Sequence, residues 1–232
     1  MNKLCKGILF SSIFILVGNV YAGVIVGGTR VVYDGAKREA SLSVKNPDAT
    51  AYLIQAWADA DGVAGNNTGA AKPPFVVTPP LFRLDAGNEN LVRIIRTGGT
   101  LPEDRESIYW MNVKSIPASE KSDKNVLQIS VKTRIKLFYR PAGLKGPSEE
   151  DYKQITFHRT GKQLTVTNPT PYYLSFFELK LGSTPVTTTD IVVPPKGSAD
   201  YPLSTSAAGS QVTWKVINDY GGSSKPVTSE VK

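Results

Sequence analysis

The sequence predicts an all-β protein with two β-sandwich domains. Short runs rich in Val, Ile, Tyr and Trp recur along the chain, and turn residues such as Asp34-Gly35 separate them. No amphipathic helix of normal length interrupts these runs, which is typical of a sandwich. The series occurs twice, on either side of the Pro- and Gly-containing segment 141–147. A chain of 232 residues is long enough for two domains of about 100 residues each.

The first 22 residues have the pattern of a secretory signal peptide. Lys3 and Lys6 precede an apolar run at 7–17, which is too short to span a bilayer. Small residues then precede a predicted cleavage point after Ala22. No later stretch is long and apolar enough for a transmembrane helix, so we expect no membrane insertion. Cys5 is the only cysteine, so the exported chain is expected to have no disulfide, no cysteine-based metal site and no thiol catalysis.

The first domain is predicted to run from residue 23 to residue 140. Its predicted strands share a β-branched and aromatic composition, and they cover residues 24–33, 39–45, 52–59, 90–96 and 107–115. Thr78-Pro79-Pro80 interrupts the strand pattern and predicts a bend. The sequence leaves open whether the Thr78–Pro79 or the Pro79–Pro80 bond is cis.

The second domain is predicted to run from residue 147 to residue 232. Its predicted strands cover residues 154–159, 163–168, 172–181, 190–193, 212–218 and 227–231. No sequence repeat relates this series to the first one.

One strand of the first domain is unusually long. Residues 126–139 contain neither Gly nor Pro, whereas a typical strand has about five or six residues. Odd-numbered residues are apolar or Thr and lie on one face, whereas polar and charged residues occupy the other face as far as Lys136. We expect the apolar side chains near its end to face the core, namely those of Ile135, Leu137 and Tyr139.

The start of this strand allows two interpretations. Leu127, Ile129 and Val131 either face the core as well, or they extend beyond their own sheet. In the second case, alternating apolar side chains would lie beside unpaired backbone groups, which is a template for a strand from a partner.

Charge and motif content argue against two other classes of protein. The formal charge of +7 includes Lys3 and Lys6 of the signal peptide, and the remaining basic residues form no block, so we expect no nucleic-acid partner. A Ser-His-Asp site would have to use His158, the only histidine, and no hydrolase, zinc-peptidase or phosphate-binding motif is present. We therefore expect no enzyme, no metal and no cofactor.

Several motifs in order resemble the PapD-like periplasmic pilus chaperones. Examples are Thr-Arg-Val at 29–31, Arg-Ile-Lys-Leu-Phe-Tyr-Arg-Pro at 134–141 and Asn-Asp-Tyr-Gly at 218–221. The resemblance implies two immunoglobulin-like β-sandwich domains arranged at an angle with a cleft between them. It also implies a periplasmic chaperone whose long strand fills the gap in a pilus subunit that lacks its last strand. The implied partners are pilus subunits and an outer-membrane usher.

The resemblance also assigns roles to particular residues. By motif position, Arg30 and Lys136 correspond to the two basic residues that anchor the C-terminal carboxylate of the subunit. The donor face corresponds to Leu127, Ile129 and Val131. An interdomain charge network with a structural role corresponds to Glu106, Arg140 and Asp219. The short connection 117–125 and the lack of a cysteine pair resemble the short-loop branch of the family.

A fibre subunit or adhesin is the main alternative, because these proteins are also β-sandwiches. A pilus subunit would be a single incomplete domain, normally with a cysteine pair and an N-terminal donor segment, whereas here the alternating segment is internal. The sequence leaves open whether the free chaperone associates with itself through the long strand. It also leaves open which subunits, usher and organelle are cognate.

Overall fold

The computed structural model describes residues 23–62, 72–119, 127–204 and 207–232, so the predicted signal peptide lies outside the described residues. It confirms the prediction of an all-β chain with two domains, each built from two sheets. The described part contains one helix, α1 at Glu149–Lys153, and no helix there is long and apolar enough to cross a membrane.

The described residues of the first domain form nine strands. They are β1 (Ile25–Val26), β2 (Arg30–Asp34), β3 (Glu39–Lys45), β4 (Tyr52–Asp59), β5 (Phe75–Thr78), β6 (Leu81–Leu84), β7 (Glu89–Arg96), β8 (Ser107–Pro117) and β9 (Val131–Arg140). One sheet has the order β1-β3-β7-β5, and the other has the order β2-β9-β8-β4-β6. Alternate residues of both sheets meet in the core, for example Val44, Ile94, Ile54 and Leu137, because side chains point to opposite faces along a strand.

In the second domain, the part of the chain that the structure describes forms α1 and seven strands. The strands are β10 (Thr156–Thr160), β11 (Gln163–Asn168), β12 (Phe176–Leu181), β13 (Thr184–Pro185), β14 (Gly197–Pro202), β15 (Gln211–Val216) and β16 (Val227–Glu230). They form the sheets β10-β11-β14 and β13-β12-β15-β16. Between them, Trp214 packs on Phe157 at 4.7 Å between ring centroids, and Tyr201 packs on Phe176 at 5.6 Å.

Some predicted strand bounds were wrong. The predicted strand 24–33 is two strands. β1 pairs with β3 in one sheet and ends at Val26, whereas β2 begins at Arg30 and pairs with β9 in the other sheet. A Cβ at Gly27 would lie 2.0 Å from Ser43 Oγ, so any larger residue at this crossing would have to displace the Ser43 side chain. The predicted strand 190–193 contributes only the isolated bridge between Val193 and Leu174.

Other elements were missed or only left open by the sequence. Strands β5, β6, β13 and β14 were not predicted, because they are short or, like β14, poor in β-branched residues. Helix α1 begins at a capping box in which the side chains and backbones of Ser148 and Asp151 bond reciprocally. Of the two proline bonds, Thr78–Pro79 is the cis one.

Candidate binding site at the free edge of β9 and the interdomain cleft

Strand β9 has a partner on both sides along only part of its length. On one side it pairs with β8 from Val131 to Tyr139. On the other side it pairs in parallel with β2, and this pairing begins only at Lys136, opposite Arg30. Residues 131–135 therefore present backbone groups at an open sheet edge, which can accept another strand.

The apolar face of β9 divides into a buried and an exposed half. Ile135, Leu137 and Tyr139 are buried, as predicted. By contrast, the side chains that precede them are largely exposed at Leu127 (88%), Ile129 (66%) and Val131 (52%). Of the two interpretations left open by the sequence, the structure therefore supports the one in which the strand extends beyond its own core.

The strand is shorter in the free protein than the sequence pattern predicted. It was predicted to begin at residue 126, which lies outside the described residues, but β9 begins at Val131 and residues 127–130 are not in a strand. The neighbouring β8 ends at Pro117, which has no N–H to donate to a continuing ladder. The Gln128 side chain instead donates a hydrogen bond to the Pro117 carbonyl.

Arg30 lies at the boundary between the open edge and the cleft. It is the direct cross-strand partner of Lys136, so the two side chains project from the same face of the sheet. Its guanidinium lies 5.6 Å from the Phe138 ring centroid, and its Nη1 donates a 3.0 Å hydrogen bond to the carbonyl of Ile217 in the second domain. Its Nε is buried and has no hydrogen-bond partner among the described residues.

Lys136 is also a partly buried cation that lacks a counter-ion. Its ammonium lies 5.7 Å from the centroid of the Trp110 ring, and it forms no ion pair within the part of the chain that the structure describes. Burial and then the neighbouring charge of Arg30 lower the pKa of Lys136, and Asp190 offsets only part of this effect. Burial likewise lowers the pKa of Arg30, against the opposing influence of Asp219. Both shifts indicate that an added negative charge would be favourable here.

The structure brings together the three residues of the predicted charge network. Arg140 donates from Nε to Glu106 Oε1 at 2.8 Å, and from Nη1 and Nη2 to Asp219 Oδ2 and Oδ1 at 2.6 and 2.8 Å. Glu106 also accepts a 2.8 Å bond from the backbone N–H of Tyr173 in the second domain. Burial lowers the pKa of Arg140, but the two carboxylates more than compensate and raise it. These bonds connect the two domains directly.

The carboxylates nearest the open edge are bonded to Arg140 rather than to Arg30 or Lys136. Arg140 binds both Glu106 and Asp219, so neither Arg30 nor Lys136 has an ion-pair partner among the described residues, although Asp190 lies near enough to act on Lys136. A carboxylate placed between Arg30 and Lys136 would receive charge-assisted hydrogen bonds.

A second ion pair beside this site was missed by the sequence reasoning. Arg134 binds both carboxylate oxygens of Asp59 at 2.7 Å, donates to Asn112 Oδ1 at 2.8 Å, and lies 4.8 Å from the Trp110 ring centroid. Burial raises the pKa of Asp59, but the bond from Arg134 and further hydrogen bonds more than offset it, so the pKa is lowered. The alternation had placed Arg134 on the face of Lys136, but nothing in the sequence indicated a partner as distant as Asp59. Arg134, held by Asp59, therefore packs on the same Trp110 ring as Lys136.

The cleft itself is lined by both domains. A groove of about 340 Å³ lies between Ile108 and Trp110 of the first domain and Tyr173, Ile191 and Val192 of the second. Phe138 and Tyr173 meet across the boundary with 5.8 Å between ring centroids.

His158 lies away from this cleft. It is an exposed residue of β10 and pairs across the strands with Thr165 in the second domain. Among the described residues, no cluster of three or more His, Cys, Asp or Glu side chains could hold a metal ion.

Comparisons with known proteins agree with this geometry. The N-terminal domain of PapD, described as a pili and flagellar-assembly chaperone, matches residues 23–145, and the C-terminal domain of the pili assembly chaperone PapD matches residues 150–228. The chain is 44% identical over 214 residues to the chaperone protein LpfB of Salmonella typhimurium, covering 90% of this chain and 89% of LpfB. It is 42% identical over 230 residues to the chaperone protein FimC of Escherichia coli, covering 97% and 91% of the two chains.

Comparison with solved structures also finds chaperones. The Escherichia coli chaperone DraB is 40% identical, with a TM-score of 0.78 over 90% of this chain and 97% of DraB. A second match, with a TM-score of 0.81 and 32% identity, is to a chain of the Salmonella enterica complex between the SafA pilin and the SafB chaperone, over 92% and 98% of the two chains. The predicted fold of two immunoglobulin-like domains is thereby confirmed.

Proposed function

The chain belongs to the PapD-like family of pilus-assembly chaperones, and we propose that it captures a pilus subunit by adding its own β9 strand to the incomplete fold of the subunit. One observation carries this proposal. Three exposed apolar side chains alternate along the segment 127–131 that leads into the open edge of β9. Two cations that form no ion pair among the described residues, Arg30 and Lys136, lie where that edge ends.

The sheet geometry sets the direction of a bound strand. A strand of the subunit that pairs with the open edge cannot continue past Lys136, because β2 occupies that edge from Arg30 onward. If its C-terminal carboxylate is bound by Arg30 and Lys136, the strand must run in the same direction as β9. This arrangement fixes its register, and a slip by one residue would turn its apolar side chains to the wrong face.

The donor face contributes the apolar part of the binding free energy. Burial of the fractions of Leu127, Ile129 and Val131 that are exposed in the free chaperone gains about 3–6 kcal/mol before the costs of association and ordering. Because these side chains are already exposed in the free chaperone, their insertion disrupts none of its own core.

The anchor contributes register and further affinity. A carboxylate that leaves water needs charged donors, and the Arg30 guanidinium and the Lys136 ammonium can supply them. We propose that the ion pairs of Arg140 with Glu106 and Asp219 hold the domains at the angle that brings the anchor and the cleft together.

The cellular setting is part of the same proposal. The signal-peptide pattern of residues 1–22 supports export to the periplasm, where the chaperone would deliver subunits to an outer-membrane usher. It would do so without catalysis or a cofactor. The exposed edge of β9 also supports self-association of the free chaperone as a way to cover that edge.

Co-purification tests the proposal. The mature chaperone is expressed in a periplasm with the pilus subunit encoded beside it, as wild type and as the Arg30→Ala, Lys136→Ala double variant. We expect the wild type to bring down the subunit in a one-to-one complex and the folded double variant to lose it. A matched control replaces Lys45 and Lys162 with alanine; both lysines are exposed and lie outside β9 and the cleft, so this variant should bind like wild type. Equal binding by both double variants would refute the carboxylate anchor.

A further inference from the structure

A turn of the second domain lies against the anchor. In residues 217–222, the side-chain oxygen of Asn218 accepts hydrogen bonds from the backbone N–H groups of Tyr220 and Gly222 at 3.0 and 2.9 Å. The backbone of Asn218 also exchanges bonds with Gly222 and Gly221, at 2.8 and 3.0 Å. Asn218 therefore fixes the shape of the whole turn.

Two contacts connect this turn to the start of β2. The carbonyl of Ile217 accepts the 3.0 Å hydrogen bond from Arg30 Nη1. Gly221 has a φ of +84°, and a Cβ at this position would lie 2.5 Å from the Oγ1 of Thr29, the residue before Arg30. A glycine is needed here both for the backbone conformation and for the close approach of Thr29.

The same turn carries one end of the interdomain ion pair. Asp219 follows Asn218 directly and binds two nitrogens of Arg140. The Arg30 and Arg140 side chains are thus held by Ile217 and Asp219 of one turn, although the two arginines lie on different strands.

We propose that the turn 217–222 is a positioning element of the carboxylate anchor, in which Asn218 and Gly221 fix the turn so that the Ile217 carbonyl holds the Arg30 guanidinium for the last residue of the subunit. This inference rests on the function proposed above and assigns the second domain a direct part in it. An arginine side chain has many rotamers in solution, so a fixed carbonyl that occupies Nη1 leaves the remaining donors in a defined place.

The coupling is reciprocal. If the turn improves the affinity of Arg30 for a carboxylate, a bound carboxylate must stabilise the docking of the turn by the same factor. Binding of the subunit end would then tighten the contact between the domains.

The test compares two forms of one peptide, because the natural subunit is not needed to probe a carboxylate site. The probe has about twelve residues of alternating valine and serine, as the free acid and as the C-terminal amide. Its affinity for the full mature chaperone is measured by calorimetry. We expect the wild type to prefer the free acid, and Gly221→Ala to lower that preference about tenfold while the affinity for the amide stays unchanged.

Matched variants separate positioning from general damage. Gly161→Ala introduces the same kind of strain at a φ of +58° with nothing within 4 Å, and should keep the wild-type preference. Tyr220→Ala removes a side chain that is 97% exposed and should also keep it. Asn218→Ala provides a second route to the same loss if Gly221→Ala folds poorly.

The outcomes distinguish the inference from the function on which it rests. A wild type that binds acid and amide equally would refute the carboxylate anchor itself. A wild type that prefers the acid, with the preference unchanged in folded Gly221→Ala and Asn218→Ala, would leave the anchor intact and overturn the positioning role. Loss of the preference in Tyr220→Ala alone would also overturn it, because the turn would then act by direct contact.

Discussion

Ile129 and Ile135 belong to the same alternating apolar series, but the same substitution should affect binding at Ile129 and stability at Ile135. Ile129 is 66% exposed, whereas Ile135 is 8% exposed and belongs to the core of the first domain. We therefore compare Ile129→Ser with Ile135→Ser. The first should weaken subunit binding and leave the free chaperone as stable as the wild type, whereas the second should destabilise the chaperone.

The magnitudes follow from the exposed fractions. Full burial of an isoleucine side chain gains about 1.5–3 kcal/mol, and about two thirds of that remains to be gained at Ile129, so its loss costs about 1–2 kcal/mol of binding. This corresponds to about 5- to 30-fold weaker binding. At Ile135, loss of a buried side chain should lower the free energy of unfolding by about 2–5 kcal/mol. Ile129→Ser should change it by less than about 0.5 kcal/mol, as for other exposed positions.

Two assays provide the measurements. Urea unfolding of each free chaperone gives the free energy of unfolding, and competition with wild type for the co-purified subunit gives the relative affinity. If Ile129→Ser destabilised the free protein by several kcal/mol, the side chain would belong to the chaperone's own core. If it bound the subunit as tightly as wild type, the donor-face role would be refuted.

Three further predictions concern charge and the second core. Burial and the charge of Arg30 lower the pKa of Lys136, so Lys136 should lose its proton at a lower pH than an ordinary lysine, whose pKa is about 10.4. The affinity for the free-acid peptide should therefore begin to fall at that lower pH. Lys136→Arg should remove this fall in the same calorimetric titration. Tyr201→Phe removes a buried hydroxyl that has no partner among the described residues, so thermal unfolding should show a gain of up to about 1–2 kcal/mol, and a loss would mean that the hydroxyl is bonded. Asp219→Asn leaves Arg140 with one carboxylate and should lower the free energy of unfolding in urea by about 1–3 kcal/mol, whereas no change would show that the interdomain pair contributes little.

The sequence predicted most reliably the features that repeat along one strand. Alternation in residues 126–139 identified Ile135, Leu137 and Tyr139 as core residues, because side chains alternate between faces whatever the neighbouring strands are. It could not decide whether Leu127, Ile129 and Val131 were buried. That depends on where β8 ends and where β2 begins, which are properties of the neighbouring strands.

Contacts between distant segments were the least predictable. The motif resemblance pointed to Arg30, Lys136, Glu106, Arg140 and Asp219, but neither their pairing nor their distances follow from spacing along the chain. The bond from Arg30 to the Ile217 carbonyl carries no side-chain signature, since any residue has a carbonyl. The crossing at Gly27 could not be distinguished from an ordinary strand glycine until the second sheet was known.

Amide hydrogen exchange along β9 tests the central claim most directly. It is measured for the free chaperone and for its purified complex with a pilus subunit, with the buried β8–β9 pairing near Leu137 as the internal reference. We predict that the amides of residues 127–135 that are not bonded to β8 exchange fast in the free protein and become strongly protected in the complex, because a subunit strand pairs with the open edge. If these amides exchanged equally fast in both states while the complex stayed intact, β9 would not be the strand that the chaperone lends.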